Sequence, residues 1–204
     1  MNILKAHRLN AGRPPGKDMK ADRQEQSDRP MKSDPAHAEA LRRDMEERLP
    51  SGARPVGTVR VDVNHIRQLT LSSVCWEGAG LRFPLKVDEP PSRGGDAEGP
   101  APLSYFVLGA ASCLLTQFAK ISMLEELKVD SLAITARAHF DHKIEGAFTD
   151  IIYDVTIVGR EEGDSIIGLS QKAEKLCFAS NTLKKVVKLT TNVTYNGEKI
   201  ISLA

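Results

Sequence analysis

The hydrophobic pattern divides the chain into a polar N-terminal stretch and a patterned body that starts near Val56. In 56–65, Val59, Val61 and Val63 alternate with Thr58, Arg60 and Asp62, the period-2 signature of a half-buried strand. LTLSSVCW (69–76) and LRFPLKV (81–87) read as two further strands. The turn Glu77-Gly78-Ala79-Gly80 joins them. Residues 88–102 (DEPPSRGGDAEGPAP) form a long loop punctuated by proline and glycine. From Leu103 to about Leu127 the chain is apolar nearly all round. That predicts a long helix buried on most sides. Strands are expected at 129–140 (VDSLAITARAHF) and 147–159 (AFTDIIYDVTIVG), with HKIEG (142–146) as the turn between them. Residues 163–186 show Ile166, Leu169, Ala173 and Leu176 at spacings of three or four, a second long helical region. Asp164 or Ser165 is its expected N-cap. A last strand at 186–197 ends the predicted domain. The order β-β-β-α-β-β-α-β indicates an α+β fold with mainly antiparallel sheets.

The N-terminal part differs in composition. Residues 1–35 are rich in proline and charge and nearly free of large apolar side chains after Leu9, so disorder is expected there. Residues 36–49 hold good helix formers with a thin apolar face, which predicts a short, weakly docked helix stopped by Pro50. The division is therefore 1–55, a disordered or weakly helical extension, and 56–204, the folded domain.

Charge adds little. The chain has 204 residues and a formal net charge of +1. Residues 1–55 are net +3 and the remainder net −2. Neither balance suggests a nucleic-acid partner. There is no run of 18 consecutive apolar residues, so no membrane span is expected. The charged, proline-rich N-terminus lacks the apolar stretch of a secretory signal. Three cysteines in such a chain suggest a reducing, cytoplasmic setting. There a cysteine pair is more often catalytic or metal-binding than structural.

Cys113 lies mid-helix and Cys177 near the end of the second helical region. Read singly, each is most simply a small core residue. Read together, they lie on two helices that one core can bring within disulfide reach, less than about 7 Å between Cα atoms. Cys75, beside Trp76 on a strand, reads as structural. His139 and His142 are three apart with no cysteine nearby, a poor basis for a zinc site. No cofactor is expected.

Asp88-Glu89-Pro90, Gly94-Gly95-Asp96 and Gly99-Pro100-Ala101-Pro102, followed by Ser112-Cys113, resemble the OsmC/Ohr family. So do Ala173-Glu174-Lys175-Leu176-Cys177 and Asn181-Thr182-Leu183. The resemblance covers about residues 56–204. It implies an intertwined homodimer in which two long central helices are wrapped by sheets from both chains. It also implies a thiol-dependent peroxidase. Cys113 would attack an organic hydroperoxide, Cys177 would resolve the sulfenic acid to a disulfide, and a dithiol of lipoyl type would reduce it. The apolar Phe106, Leu114 and Phe118 would favour a greasy hydroperoxide. The sequence departs from the family where its peroxidases carry a glutamate just after the helix-opening proline. Leu103 and Ser104 stand there instead. Glu98 is a candidate substitute. Arg67, Arg82 and Arg93 are the candidate arginines for activating the thiol. The departure keeps an alternative open: a catalytically weak, redox-sensing or apolar-ligand-binding dimer.

Overall fold

The computed structural model describes residues 35–47, 57–141 and 146–204. The expected disorder of the first segment, the Pro50 stop and most of the HKIEG turn lie outside these residues. The helix expected at 36–49 is α1, Pro35–Glu47, which packs against the long helix of the body.

Strands β1 (Arg60–Arg67), β2 (Thr70–Trp76) and β3 (Arg82–Val87) form an antiparallel sheet in the order β1-β2-β3. Register puts Val61, Cys75 and Phe83 in one row and Val63, Ser73 and Leu85 in a second row on the same face. The long helix α2 runs Pro102–Leu124. Pro102 opens it without loss, because a first-turn N–H has no partner within the helix.

A second sheet follows, in the order β4 (Val129–Phe140), β5 (Phe148–Gly159), β6 (Lys188–Tyr195), β7 (Glu198–Leu203). Its pairs are mainly antiparallel, as expected, while the extra strand β7 and a break in the second helical region differ from expectation. The pair β5–β6 is parallel, because the connection between them is a helical crossover rather than a hairpin. The final strand β7 is additional. Asn196 (φ 47°) and Gly197 (φ 91°) both take left-handed conformations, which makes a tight turn back along β6. The second helical region is broken in two: α3 (Gly163–Leu176) and α4 (Phe178–Leu183), with the extended Cys177 between them.

The core lies between α2, α3 and the inner face of β4–β7. Leu114, Phe118 and Ile121 of α2 meet Ile166, Leu169 and Ala173 of α3 and Ile151, Tyr153, Val155 and Ile157 of β5. The alternation of buried residues along β5 is the period-2 rule at work. By length and composition α2 is apolar enough to cross a membrane, contrary to the expectation from consecutive apolar residues. Its buried face packs against α3 and β4, the setting of a core helix. Near its N-terminus α2 is less covered than its all-round apolarity predicts. Leu103, Phe106 and Leu108 stay 46–58% exposed in the single chain.

Candidate functional site

The break after α3 decides the position of Cys177. Its backbone is extended (φ −79°, ψ 112°), and it serves as the N-cap of α4. Its sulfur accepts the Ser180 amide at 3.4 Å. The carbonyls at the end of α3 are in turn served by the Cys177 amide, which donates to Glu174 O, and by Asn181 Nδ2, which donates to Lys175 O at 2.8 Å. Glu174 pins the same corner. Its buried carboxylate accepts from Thr191 Oγ1 of β6 at 2.8 Å and pairs with Lys184 at 3.1 Å.

Cys113 reaches this corner from the middle of α2. The two sulfurs are 3.5 Å apart. Both thiols are free, with Cys177 fully buried and Cys113 partly exposed. A disulfide's S–S bond is about 2.05 Å long, so the sulfurs are in near contact but unbonded. The two candidate cysteines, 64 positions apart in sequence, are therefore one site. Cys75 is elsewhere, between Val61 and Phe83 in the first sheet.

Burial pushes the Cys177 thiol above its ordinary pKa. The Ser180 amide, which donates to its sulfur, opposes this by favouring the thiolate. Two buried hydroxyl side chains, Ser180 on α4 and Tyr153 on β5, carry no strong sequence signal. Ser180 Oγ is fully buried and makes no hydrogen bond within the described residues. The same holds for the hydroxyl of Tyr153, which faces inward from β5 with 0% exposure. Its pKa is pushed up to about 12, by burial first and then by negative charge on Cys177 and Cys113. The only hint in the sequence is a tyrosine in the inward row Ile151, Tyr153, Val155, Ile157.

The arginine candidates take other partners. Arg67 pairs with Glu98, which also binds Lys86 at 2.9 Å, and Arg67 lies 3.5 Å from Asp96. Glu98 thus binds an arginine, as a substitute for the missing glutamate would. The Lys86 hydrogen bond, followed by the charges of Arg67 and Lys86, outweighs burial and holds its carboxyl below the usual range. Arg82 sits over the Trp76 ring at 5.7 Å, and Arg93 binds Glu89 at 2.6 Å.

Asp88 builds the loop that presents Glu98. It is completely buried, and its carboxylate accepts the amides of Glu89 (2.8 Å), Asp96 (3.1 Å) and Glu98 (3.1 Å) and the hydroxyl of Thr70 (3.3 Å). Gly95 is needed because a Cβ there would collide with the Glu89 carbonyl. Burial raises the Asp88 pKa, but these hydrogen bonds outweigh it and hold the carboxyl below its ordinary value. A depressed folded pKa contributes stability above the unfolded value near 4, and that stability is lost as pH falls through the folded value. Acidification should therefore loosen residues 88–101 before the core opens. Asp88→Asn should do the same at neutral pH, raising amide exchange at Asp96 and Glu98 about tenfold or more. Unchanged exchange in the variant would show that the carboxylate does not organise the loop.

Phe106, two turns before Cys113 on α2, stacks on Phe148 at 5.5 Å, and Phe140 meets Phe148 edge-on. Beside them a hollow of about 200 Å³ is lined by Leu103, Phe140, Asp141, Gly146, Ala147 and Phe148. Leu114 and Phe118, expected to greet a substrate, are instead fully buried core residues, because they lie on the inner face of α2. His139 binds Asp150 at 2.6 Å, and His142 lies outside the described residues. Among the described residues no cluster of three or more potential metal ligands forms.

The α+β fold thus brings two free thiols, one on α2 and one at the junction of α3 and α4, to within 3.5 Å of each other. The family model described as OsmC-like protein matches residues 94–192, a span that holds both cysteines. The structure of the organic hydroperoxide resistance protein OsmC from Legionella pneumophila is similar, at 18% identity, over 69% of this chain and 98% of that one (TM-score 0.54). So is an OsmC-like protein from Mycoplasma pneumoniae, at 19% identity over 70% and 99% (TM-score 0.55). An organic hydroperoxide resistance protein from Elizabethkingia anophelis matches at 18% identity over 71% and 100% (TM-score 0.57). No curated protein matches the chain by sequence. Residues 94–192 thus match the OsmC-like family, and the fold is that of these OsmC and organic hydroperoxide resistance protein structures.

Proposed function

We propose that this chain is a thiol-dependent peroxidase that reduces organic hydroperoxides. The observation that carries this reading is the 3.5 Å approach of the Cys113 and Cys177 sulfurs. The partly exposed Cys113 is the attacking thiol and the buried Cys177 the resolving one. The Cys113 thiolate attacks the outer oxygen of R–O–O–H. The O–O bond breaks, the alkoxide leaves as alcohol with a proton, and Cys113 becomes a sulfenic acid. Cys177 then attacks that sulfur, so that an S–S bond forms and hydroxide leaves as water. A dithiol, for instance of lipoyl type, reduces the disulfide by exchange. The apolar hollow beside Phe106 suits a hydrocarbon-rich hydroperoxide. A reducing cytoplasm suits the cycle.

The working unit we propose is a homodimer. In the single chain Val61, Val63, Phe83 and Leu85 leave one face of the first sheet exposed, and Leu103, Phe106 and Leu108 do the same on α2. A second copy covers such surfaces in an intertwined arrangement.

The second reading is a redox-sensing or apolar-ligand-binding dimer with poor turnover. Leu103 and Ser104, which stand where the peroxidases of the family carry a glutamate, favour it. One experiment separates the two. Reduced protein is mixed with one equivalent of cumene hydroperoxide at pH 7 while thiol loss and intact mass are followed. Loss of two hydrogens' mass within seconds supports the peroxidase. No reaction over minutes, with the dimer intact, rejects it in favour of the second reading.

A further inference from the structure

The two thiols differ in how their positions are fixed. Cys113 sits in the middle of the 23-residue helix α2, and its neighbours Ala110, Ala111 and Leu114 are buried in the core. Cys177 stands instead between two helices, with an extended backbone. Its position therefore depends on the angle at which α4 leaves α3. A side-chain tie spans that junction. Glu174, buried in the last turn of α3, pairs through Oε2 with Lys184 Nζ at 3.1 Å. Lys184 is the C-cap of α4. The other carboxylate oxygen of Glu174 accepts from Thr191 Oγ1 of β6 at 2.8 Å, which anchors the tie to the sheet. Residues 174 and 184 are ten positions apart. In an unbroken helix that is about 15 Å along the axis and on different sides of it, too far for the two side chains to meet. The 3.1 Å pair thus requires the bend at Cys177. The bend in turn sets the Cys177 sulfur 3.5 Å from that of Cys113 and 3.4 Å from the Ser180 amide.

We propose that Glu174, Lys184 and Thr191 are positioning residues that hold the α3–α4 junction bent and thereby set the reduction potential of the Cys113–Cys177 couple. The role rests on the proposed dithiol cycle and deepens it. A buried ion pair contributes little net stability compared with an apolar replacement, but it fixes geometry. Here the geometry it fixes is that of a thiol. Closing the disulfide removes two electrons and two protons from the pair and brings the sulfurs from 3.5 Å to about 2.05 Å. With Cys113 held in α2, the tie keeps Cys177 near that endpoint, so little freedom is lost on closure. A high effective concentration of one thiol at the other stabilises the disulfide and lowers its potential. A loosened junction lets Cys177 wander from its partner, and the disulfide is then easier to reduce. The tie thus governs how readily the site returns to the dithiol form.

The test is the dithiol–disulfide equilibrium, read without any peroxide. In a Cys75→Ser background the full chain is equilibrated in dithiothreitol buffers of graded oxidised-to-reduced ratio. Free thiols are then trapped with N-ethylmaleimide and counted by intact mass. In this exchange the cyclic disulfide of dithiothreitol takes up the two electrons and two protons that the protein thiols lose. Lys184→Met should lower the equilibrium constant for the protein disulfide roughly tenfold, a rise of about 30 mV in potential. Thr191→Val should move it in the same direction, and Lys184→Arg, which keeps the charge, should restore it. The Asn181 bond to the Lys175 carbonyl remains in these variants, so the junction loosens rather than unfolds. Glu174→Gln combined with Lys184→Met leaves no unpaired charge in the core and serves should Lys184→Met alone fold poorly. A merely structural tie would weaken the oxidised and reduced folds equally and leave the equilibrium unmoved. An unchanged constant in Lys184→Met and in the double variant overturns the positioning role and leaves the dithiol site standing. If the parent protein forms no Cys113–Cys177 disulfide at any ratio, the dithiol reading falls and this role falls with it.

Discussion

Cys113→Ser should abolish hydroperoxide consumption, leaving no rate above the uncatalysed reaction. The serine hydroxyl is the same shape but, with a pKa far above that of a thiol, supplies almost no anion at neutral pH. An alkoxide is also a poorer nucleophile toward the O–O bond. Cys177→Ser should behave differently. Cys113 would still attack, so one equivalent of alcohol forms per site and turnover then stops. With no thiol 3.5 Å away to capture it, the sulfenic acid should proceed in excess peroxide to sulfinic and sulfonic acids, read as mass gains of two and then three oxygens. The contrast between zero and one turnover is the core of the test, made with cumene hydroperoxide and intact-mass analysis. Full turnover by Cys113→Ser would sink the peroxidase reading. Repeated turnover by Cys177→Ser would show that a reductant reaches Cys113 directly and that the second thiol is not needed.

The second large effect concerns assembly. The wild-type chain should sediment as a dimer at micromolar concentration, and Val63→Asp with Leu85→Asp should sediment as a monomer or aggregate. These two side chains stand in register through Ser73 on the apolar face of the first sheet, at 57% and 37% exposure in the single chain. Burying a Val or Leu contributes about 1.5 kcal/mol or more. A symmetric dimer buries each twice, so the loss is roughly 6 kcal/mol, about four orders of magnitude in Kd, before the cost of burying carboxylates. Analytical ultracentrifugation reads this directly. A wild-type monomer would reject the dimer, and an intact dimer in the variant would place the interface elsewhere.

These predictions rest on features of different legibility. Strands β2 and β4 stand in the sequence almost to the residue, because alternating apolar positions between glycine and charged turns leave no other period. The long helix α2 is equally plain. Cys113 and Cys177 emerge as a candidate pair from their positions on two helical segments and from the family resemblance. By contrast, the 163–186 region reads as one helix, since its apolar spacing continues past Cys177 and neither proline nor glycine stands near that residue. The break exists because Glu174 is tied to Thr191 and Lys184, and Cys177 caps the next helix with its own sulfur. Strand β7 escaped for a simpler reason. Asn196-Gly197 reads in sequence as the end of the domain, although two consecutive left-handed residues are what a hairpin needs.

Sequence alone determined most of the elements, the α+β class, the two thiols and the absence of a glutamate at Leu103 and Ser104. These follow from local periodicity and residue chemistry, which act over a few positions of chain. Tertiary structure decided the rest. It brought residues 64 positions apart to a sulfur–sulfur distance of 3.5 Å, turned Tyr153 into the core, and tied Arg67 to Glu98 and Asp96. Such distances are set by how helices and sheets pack, and no local pattern encodes them.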